Sequence, residues 1–297
     1  MPELPEVETV RRGLHERIIG RVIRSEDHDT EKGFPNTSND VALFMIGATV
    51  TAVRRRAKVL LIDLSTSYTL VIHLKMTGQL VWVNSVTGQG EDRFGAGHPN
   101  DSLIGTLPDK STRVVVTFED GSHLYFNDQR KFGWMKLFPT PEVPNIDFMK
   151  RVGPEPLEDD FTAEVFYKRL QRRKNTTIKA AILDQTVLAG VGNIYADEGL
   201  WGAKIHPATR VNRVSLEETA SLWGELRSVM ELAIEKGGSS NHTYINAEGK
   251  RGSYMDFARA FRREGLPCPR HPEVLIEKIK VAGRGTHICP VCQVVSV

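Results

Sequence analysis

Residues 113–126 read RVVVTFEDGSHLYF, two runs of β-branched and aromatic residues joined by Asp120-Gly121. An Asp-Gly pair between such runs is a strong signal for a two-residue β-hairpin turn. Comparable runs occur on both sides, between Val41 and Phe138, with no helical segment among them: LFMIGATVTAV, VLLIDL, YTLVIHL, QLVWV and WMKLF. Many short strands without intervening helices predict an antiparallel sandwich or barrel.

The segments that flank and interrupt these runs have other patterns. Upstream, apolar residues recur at three- and four-residue spacing after Pro5, at Val7, Val10, Leu14 and Ile18. This spacing predicts an N-terminal helix with proline in its first turn, ending at Gly20. Residues 84–111 are rich in Gly, Asp, Pro and Ser, and we expect them to form a long surface loop.

Beyond Phe138 the chain changes character. Residues 139–156 are proline-rich and the periodicity after them is helical, so we predict an N-terminal domain at 1–138, a linker at 139–156 and a helical domain at 157–265. The clearest helix begins at Ser215, with Glu218 completing a capping box, and stops at Gly237-Gly238. A helical pair interrupted by the glycines of AGVGNIY lies within residues 178–206.

The last segment, residues 266–297, has the pattern of a zinc finger. Four soft ligands occur in two pairs separated by 17 residues, Cys268 and His271, then Cys289 and Cys292. Such pairs build a closed tetrahedral Zn²⁺ site, which is structural because no coordination position remains for water. A predicted β-hairpin between the pairs carries three cations that could face a nucleic-acid groove: Lys278, Lys280 and Arg284. We expect one structural Zn²⁺ ion.

Composition excludes some classes of protein. The 297 residues are 40% hydrophobic and 26% charged, which excludes a disordered chain and favours two domains over one. Glu3, Glu6 and Glu8 stand where a signal peptide would be basic and then apolar. The longest uncharged stretch, 76–90, is 15 residues, and a bilayer needs about 20. We expect a cytoplasmic protein with no membrane partner.

Positive charge is concentrated near the C-terminus. Residues 250–297 hold nine Lys/Arg against four Asp/Glu, a net charge of +5, so the other residues carry −3 of the formal total of +2. A basic module suits a polyanionic partner, but a solvated basic tail has the same composition. Charge alone leaves both interpretations open.

Longer motifs identify a family. They occur in colinear order between Pro2 and Gln293: PELPEVETVRRGL, RRRAKVLLIDL, HLKMTG, NDQRKFG, GPEPL, AGVGNIYADE and GRGTHICPVCQ. Together they closely resemble the bacterial formamidopyrimidine-DNA glycosylase (Fpg/Nei) family. The resemblance implies an α+β multidomain fold, with an N-terminal helix and antiparallel β-sandwich, a helix-two-turn-helix domain and a C-terminal zinc finger. It also implies a monomeric, nucleoid-associated enzyme that binds damaged double-stranded DNA across the cleft between its domains.

The implied activity is removal of oxidised purines, 8-oxoguanine and formamidopyrimidines, followed by strand cleavage through β,δ-elimination. Its nucleophile is the amine of Pro2, exposed once Met1 is removed. A terminal amine has a pKa near 8, against about 10.4 for lysine, so much more of it is free base at neutral pH. Its adduct at deoxyribose C1′ is an iminium, an electron sink for elimination. Taken alone, Pro2 and Pro5 are better explained as a helix start.

The resemblance assigns further catalytic roles. Glu3 is the acid/base that opens the sugar ring and moves protons, while Glu6 supports the electrostatics of the site. Lys58 contacts DNA near the lesion, and Arg284 engages the phosphate beside it. Without the family, Lys58 is only an exposed basic residue at a strand end.

Six more residues match DNA contacts of the family. Lys179 and Asn193 correspond to residues that hold the phosphates flanking the extruded nucleotide. His73 is a further candidate for a phosphate contact, although an isolated strand histidine is often a core residue. Extracting a base costs a few kcal/mol unless the vacated space is filled. Three residues match the set that the family uses there: Met76 and Phe132 replace the lost stacking, and Arg130 bonds the partner base. On pattern alone, Met76 and Phe132 would be core residues.

The chain departs from the family at three places. Gln129 stands where proline is expected, residues 84–111 are longer than usual, and His271 replaces a cysteine. The first two could alter loop rigidity or the preference for DNA context. The third keeps a sound zinc ligand.

Two alternatives remain open. An endonuclease VIII-like enzyme would prefer oxidised pyrimidines. Leu4, the Arg130/Phe132 pair and residues 237–254, expected to be a purine-capping loop, favour the purine branch. A zinc-dependent protein that binds damaged DNA without catalysis is the second alternative, and the intact Pro2-Glu3 argues against it.

Overall fold

The computed structural model describes residues 2–86, 90–239 and 253–295. Contacts between Cα atoms divide the chain into two units, Met1–Lys150 with Ile234–Tyr254, and Arg151–Ala233 with Met255–Val297. The domain boundaries at 138, 156 and 265 stay predictions. No helix of the described segments is long and apolar enough to cross a membrane.

The first unit contains nine strands and three α-helices within the described residues. The strands are β1 (Ile23–His28), β2 (Val50–Arg56), β3 (Val59–Leu64), β4 (Tyr68–His73), β5 (Gly78–Val86), β6 (Gly90–Gly97), β7 (Thr112–Phe118), β8 (His123–Asp128) and β9 (Trp134–Pro139). The helices are α1 (Leu4–Ile18), α2 (Ser38–Phe44) and α3 (Asp147–Arg151), with 3-10 turns at Asp101–Leu103 and Thr140–Asn145.

These strands form two antiparallel sheets around one core. The five-stranded sheet has the order β1-β7-β8-β5-β6 and the four-stranded sheet the order β2-β3-β4-β9. Alternate residues of both sheets share one buried cluster with α1, among them Leu60, Ile72, Trp82, Phe94, Leu124 and Phe126. The predicted antiparallel β-sandwich is confirmed.

Helix α1 packs into this core as its periodicity predicts. Its four spaced apolar side chains have no exposed area: Val7, Val10, Leu14 and Ile18. Gly13 allows the closest approach, because a Cβ atom there would lie 2.0 Å from Cζ of Phe94 on β6.

The runs VLLIDL and YTLVIHL are almost continuously apolar because both faces of the four-stranded sheet are covered. Leu60 and Ile62 face the main core. Val59, Leu61 and Val71 face a second cluster built with Val143 of the Thr140–Asn145 turn.

Two expectations about this unit are wrong. Residues 84–111 are not one long loop, because β6 pairs with β5 over Leu80↔Ala96 and Trp82↔Phe94. Leu103 in the following 3-10 turn packs with Val81 and Tyr125. The turn-rich composition concealed the alternation of inward residues in RFGAG. Residues 87–89 lie outside the described part.

The run LFMIGATVTAV is also not a single strand. Its first residues end α2, which begins after Thr37, whose hydroxyl accepts a hydrogen bond from the Asp40 N–H at 3.1 Å. Gly47 then turns the chain at φ +77° before β2 starts at Val50. A capped helix and a glycine turn therefore outweigh strand propensity here.

The second unit is helical and ends in a hairpin. Its elements are α4 (Ala163–Gln171), α5 (Ile178–Leu183), α6 (Asn193–Gly202), α7 (Leu216–Glu235), β10 (Glu277–Val281) and β11 (Arg284–Ile288). The capping box is confirmed, since Ser215 N–H donates to Glu218 Oε2 at 2.7 Å and Glu218 N–H to Ser215 Oγ at 3.1 Å. The helical pair within 178–206 and the hairpin between the ligand pairs are confirmed as well.

Candidate functional site

The N-terminal segment of the first unit is buried and held by backbone hydrogen bonds. Pro2 is buried, and Glu3 and Glu6 are only 3% and 4% exposed. The two carboxylate oxygens of Glu6 accept from Glu3 N–H at 2.7 Å and from Ser239 N–H at 2.8 Å. Glu6 therefore ties the start of α1 to Gly238-Ser239, immediately before residues 240–252, which lie outside the described part. The expected purine-capping loop falls mostly there, and Met1 also lies outside the described residues.

Three connections open at the same end of the β-sandwich. Strand pairing sets Val59 opposite His73, His73 opposite Trp134, and Gly78 opposite Asp128. The β2–β3, β4–β5 and β8–β9 connections must therefore lie side by side. These connections, with the last residue of β4, carry five of the predicted site residues: Lys58, His73, Met76, Arg130 and Phe132.

Helix α1 is fixed against this end. Glu8 Oε2 lies 3.2 Å from Nε of Arg55, and Nη1 of Arg55 donates to the carbonyl of Ala57 at 3.0 Å. Ala57 and Lys58 form the β2–β3 turn, where Lys58 is buried and only 7% exposed. The alternative interpretation of Lys58, an exposed basic strand end, is therefore excluded.

His73 is a neutral imidazole. Its Nδ1 accepts a hydrogen bond from Lys75 N–H at 3.1 Å, which assigns the ring proton to Nε2. Burial, with the charges of Lys75 and Lys58 adding to it, lowers the His73 pKa from 6.5 to about 3. At neutral pH this side chain can offer a hydrogen-bond donor but no positive charge.

The three residues that match the family's set for replacing an extracted base are exposed. Met76 is 36% and Phe132 46% exposed, and Arg130 is exposed beside them. The Arg130 guanidinium lies over the Phe132 ring, 5.0 Å from its centroid. These exposures exclude the core interpretation of Met76 and Phe132. Two large apolar side chains and one cation thus project from adjacent loops.

In the second unit, Arg284 stands at the start of β11 and is exposed. The hairpin turn before it has Ala282 and Gly283 at φ +50° and +75°. Asn193, the first residue of α6, donates from Nδ2 to the carbonyl of Gly285 at 3.0 Å. This contact holds the arginine beside the N-terminus of α6, where backbone N–H groups favour anions.

Lys179 lies beneath this surface. It is fully buried, and its Nζ lies 2.6 Å from Oδ1 of Asp197, 2.6 Å from Oγ1 of Thr286 and 3.3 Å from the carbonyl of Gly285. Its amine therefore supports the strand that carries Arg284 and does not face solvent.

Three buried carboxylates with structural roles were missed from the sequence: Asp128, Asp197 and Glu198. Glu198 accepts backbone hydrogen bonds from Arg259, Ala260 and Phe261 at 2.9, 2.8 and 2.7 Å. A signal was present, because Asp197-Glu198 sit within the apolar helix sequence NIYADEGLW and Asp128 ends an apolar strand. Acids in such places need buried partners.

The four predicted metal ligands converge in the second unit. All of their ligand atoms lie within 4.8 Å of one another. Sγ of Cys268 is 3.8 Å from Sγ of Cys292, and Nδ1 of His271 is 3.2 Å and 3.9 Å from Sγ of Cys292 and Cys289. Tetrahedral Zn–S bonds of about 2.3 Å put two sulfurs roughly 3.8 Å apart. The donor set and its spacing fit a zinc ion.

Comparison with family models matches the chain in three segments. Residues 1–135 match the formamidopyrimidine-DNA glycosylase N-terminal domain, residues 152–244 match the H2TH domain of the same enzyme, and residues 274–294 match a zinc finger found in FPG and IleRS. These matches confirm the predicted fold class and the structural Zn²⁺ site.

Curated relatives cover the whole length. Formamidopyrimidine-DNA glycosylase of Herpetosiphon aurantiacus is 42% identical over 301 residues, covering 99% of this chain and 100% of the relative. The enzyme of the same name from Latilactobacillus sakei is 39% identical over 294 residues, covering 99% and 98%.

Solved structures of Fpg proteins are similar to this chain over its whole length. Lactococcus lactis Fpg in complex with DNA containing an abasic site superposes with a TM-score of 0.84 at 34% identity, covering 98% of this chain and 99% of that one. The MutM (Fpg) protein of Thermus thermophilus gives 0.82 at 36% identity, covering 100% of both chains.

Proposed function

Because this chain belongs to the formamidopyrimidine-DNA glycosylase family, we propose that it excises oxidised purines from damaged double-stranded DNA and then cleaves the strand at the abasic site. The observation that carries this proposal is that one chain holds all three modules of the family in order, at about 40% identity to named relatives over their full length.

The proposed nucleophile is the secondary amine of Pro2, after removal of Met1. The amine attacks C1′, the base leaves with the electrons of its glycosidic bond, and C1′–O4′ opens to give an iminium. Loss of the C2′ proton then expels the 3′ phosphate, and a second elimination releases the 5′ phosphate. Base removal and strand cleavage thereby share one covalent intermediate.

Glu3 is the proposed acid/base. It stands next to Pro2 in a buried segment, so a carboxyl group is available to protonate the ring oxygen and to collect the C2′ proton. Glu6 acts differently in this scheme. Because its oxygens accept backbone N–H groups on both sides, it holds the N-terminal segment in position.

The proposed DNA contacts follow from the family resemblance. Met76 and Phe132 replace the extracted base in the stack, and Arg130 bonds the base left without a partner. Arg284, Asn193, Lys58 and a neutral His73 hold phosphates near the lesion. Lys179 contributes by fixing β11, since its Nζ is buried against Asp197.

The remaining proposals concern organisation. The finger at 266–297 holds one structural Zn²⁺ through Cys268, His271, Cys289 and Cys292. Its role is to keep Arg284 in a fixed hairpin. We place the protein in the bacterial cytoplasm at the nucleoid, acting as a monomer.

The decisive experiment is borohydride trapping on a duplex with an abasic site. The wild type should form a covalent adduct, while a retained Met1 abolishes trapping and Pro2→Gly strongly reduces it, because the nucleophile is lost or altered. Pro5→Ala is the matched control, a nearby proline in the first turn of α1 with no part in the chemistry, and it should trap normally.

Two results would overturn the proposal. Absence of an adduct with the wild type would leave a protein that binds damaged DNA without catalysis. Faster release of thymine glycol than of 8-oxoguanine opposite cytosine, measured in the same reactions, would assign the enzyme to the oxidised-pyrimidine branch.

A further inference from the structure

Asp128 is a buried carboxylate at the end of β8, with 0% exposure. Its Oδ2 accepts from the backbone N–H groups of Phe132 at 2.8 Å and Gly133 at 2.7 Å. Its Oδ1 accepts from the Arg130 N–H at 3.2 Å and from the hydroxyl of Thr77. One side chain thus receives four hydrogen bonds from two different loops.

Thr77 joins the two loops through both roles of its hydroxyl, as a donor to Asp128 and as an acceptor. Its Oγ1 also accepts from the Arg130 N–H at 3.0 Å, and Thr77 directly follows Met76. Gly78 and Asp128 face each other in the β5–β8 pairing, so the two loops leave neighbouring strands at the same level. The Asp128–Thr77 contact therefore joins the loop of Met76 to the loop of Arg130 and Phe132.

Close packing around Gly78 and Gly133 leaves little freedom for either loop. A Cβ atom on Gly78 would lie 2.3 Å from the carbonyl oxygen of Leu74, and one on Gly133 would lie 2.6 Å from Cζ of Phe126. Each loop also holds a lysine in the left-handed region, Lys75 at φ +51° and Lys131 at φ +55°. Such conformations persist only where neighbouring contacts enforce them.

The three exposed side chains depend on this backbone. Met76 and Phe132 keep about a third to a half of their surface exposed, so packing against the protein holds them only in part. Their direction is set by the main chain from which they project. The main-chain hydrogen bonds of Phe132 and Arg130 end on Asp128.

We propose that Asp128, together with Thr77, is a positioning residue that locks Met76, Arg130 and Phe132 into one rigid wedge. This inference rests on the proposed function, because the wedge matters only when a base leaves the stack. A preformed wedge enters the emptied space without first losing conformational freedom. Loss of the lock therefore slows base extraction and spares chemistry on a site that is already open.

The test compares two reactions of the same zinc-loaded protein. Asp128→Asn keeps the shape of the side chain, but its amide nitrogen cannot accept, so one orientation of the amide removes the acceptor of the Phe132 and Gly133 N–H groups and the other removes the carboxylate acceptor of the Arg130 N–H. Single-turnover excision of 8-oxoguanine opposite cytosine should fall by roughly 10- to 100-fold, as expected for misplaced contact groups. Cleavage of a preformed abasic site in the same duplex should fall much less.

Two pairs of variants separate positioning from general damage. Thr77→Val removes the hydroxyl and should repeat the selective loss, whereas Thr77→Ser keeps the hydroxyl and should restore excision. Asp120→Asn is the matched control for Asp128, because Asp120 also accepts N–H and hydroxyl bonds from Ser122 in a turn, at the opposite end of β8. It should excise like the wild type.

A spectroscopic readout reports the wedge directly. With 2-aminopurine next to the lesion, unstacking raises fluorescence, and this rise should be slower in Asp128→Asn and Thr77→Val. Equal losses of excision and abasic-site cleavage, or no loss in either variant, would overturn the inference. If Asp128→Asn fails to fold, the Thr77 pair decides the question. A wild type without either activity would instead refute the proposed function.

Discussion

Among single side chains, His73 has the environment least apparent from its sequence context. A histidine in HLKMTG could be a cationic phosphate ligand or a core residue. The structure gives it a neutral ring, with Nδ1 occupied by the Lys75 N–H and the proton on Nε2. Burial and two neighbouring lysines hold its pKa at about 3. A phosphate contact through His73 is therefore a neutral hydrogen bond.

The lowered pKa of His73 predicts a pH-dependent loss of stability. Below pH 6.5 the unfolded chain takes up a proton at His73, but the folded protein does not until about pH 3. Relative to His73→Gln, the wild type should therefore lose about 2 kcal/mol of unfolding free energy between pH 7 and pH 5. Urea unfolding of both proteins at the two pH values measures this loss. Subtracting the values for His73→Gln removes the contributions of the other titratable groups, which both proteins share. Parallel curves would refute the assignment.

At the scale of elements, a buried ion pair connects α5, α6 and β11. Lys179 on α5 contacts Asp197 on α6 and Thr286 on β11. The second oxygen of Asp197 accepts from the backbone N–H of His287 at 3.0 Å. The hairpin that carries Arg284 is thus anchored to two helices by one polar network, and such networks demand that every member be satisfied.

Breaking this pair should be costly. Lys179→Met leaves the Asp197 carboxylate buried without its cation, so we expect a loss of about 3–5 kcal/mol in the free energy of unfolding. Arg54→Met is the control, since it breaks an exposed pair with Asp63 and should cost about 1 kcal/mol or less. Urea denaturation of the zinc-loaded proteins measures both. Similar losses of unfolding free energy in the two variants would contradict the prediction that burial makes the Lys179–Asp197 pair more costly to break.

At the scale of the whole molecule, the finger packs into the helical unit. Cys268, Cys289 and Cys292 share a buried cluster with Trp201 of α6. Arg270, between two ligands in sequence, lies 3.9 Å above the Trp201 ring and donates to the carbonyls at the end of α6. Loss of the metal therefore affects both the finger and the helix that begins at Asn193.

Removal of zinc should weaken DNA binding. Because the ligands bridge two segments with a small core, chelation should unfold the finger, and the affinity for a duplex with an abasic-site analogue should fall about tenfold or more. Fluorescence anisotropy measures the affinity, with metal content verified. His271→Cys keeps four ligands and should bind normally, whereas His271→Ala should resemble the chelated protein. Unchanged affinity of zinc-free protein would reject this role.

Much of the fold could be predicted because it depends on local patterns. Strand alternation, the hairpin at Asp120-Gly121, the Ser215 capping box and the spacing of Cys289 and Cys292 involve residues close in sequence. The hairpin connection itself has four residues, 119–122, where two were predicted. The two wrong predictions about the first unit also concerned local structure. In residues 84–111, turn-forming composition masked a strand, and at Thr37 a helix cap outweighed apolar propensity.

The sequence by itself determined the order of the modules and the zinc ligands, since these follow from motifs along the chain, whereas Pro2 became a candidate nucleophile only through the family resemblance. Tertiary structure alone decided which partners Glu6, Asp128 and Lys179 meet. Their partners lie 233, 51 and 107 residues away, at Ser239, Thr77 and Thr286. A buried carboxylate or amine must find hydrogen bonds wherever the folded chain supplies them. Periodicity specifies which residues are buried, but only the packed structure specifies which buried polar groups meet.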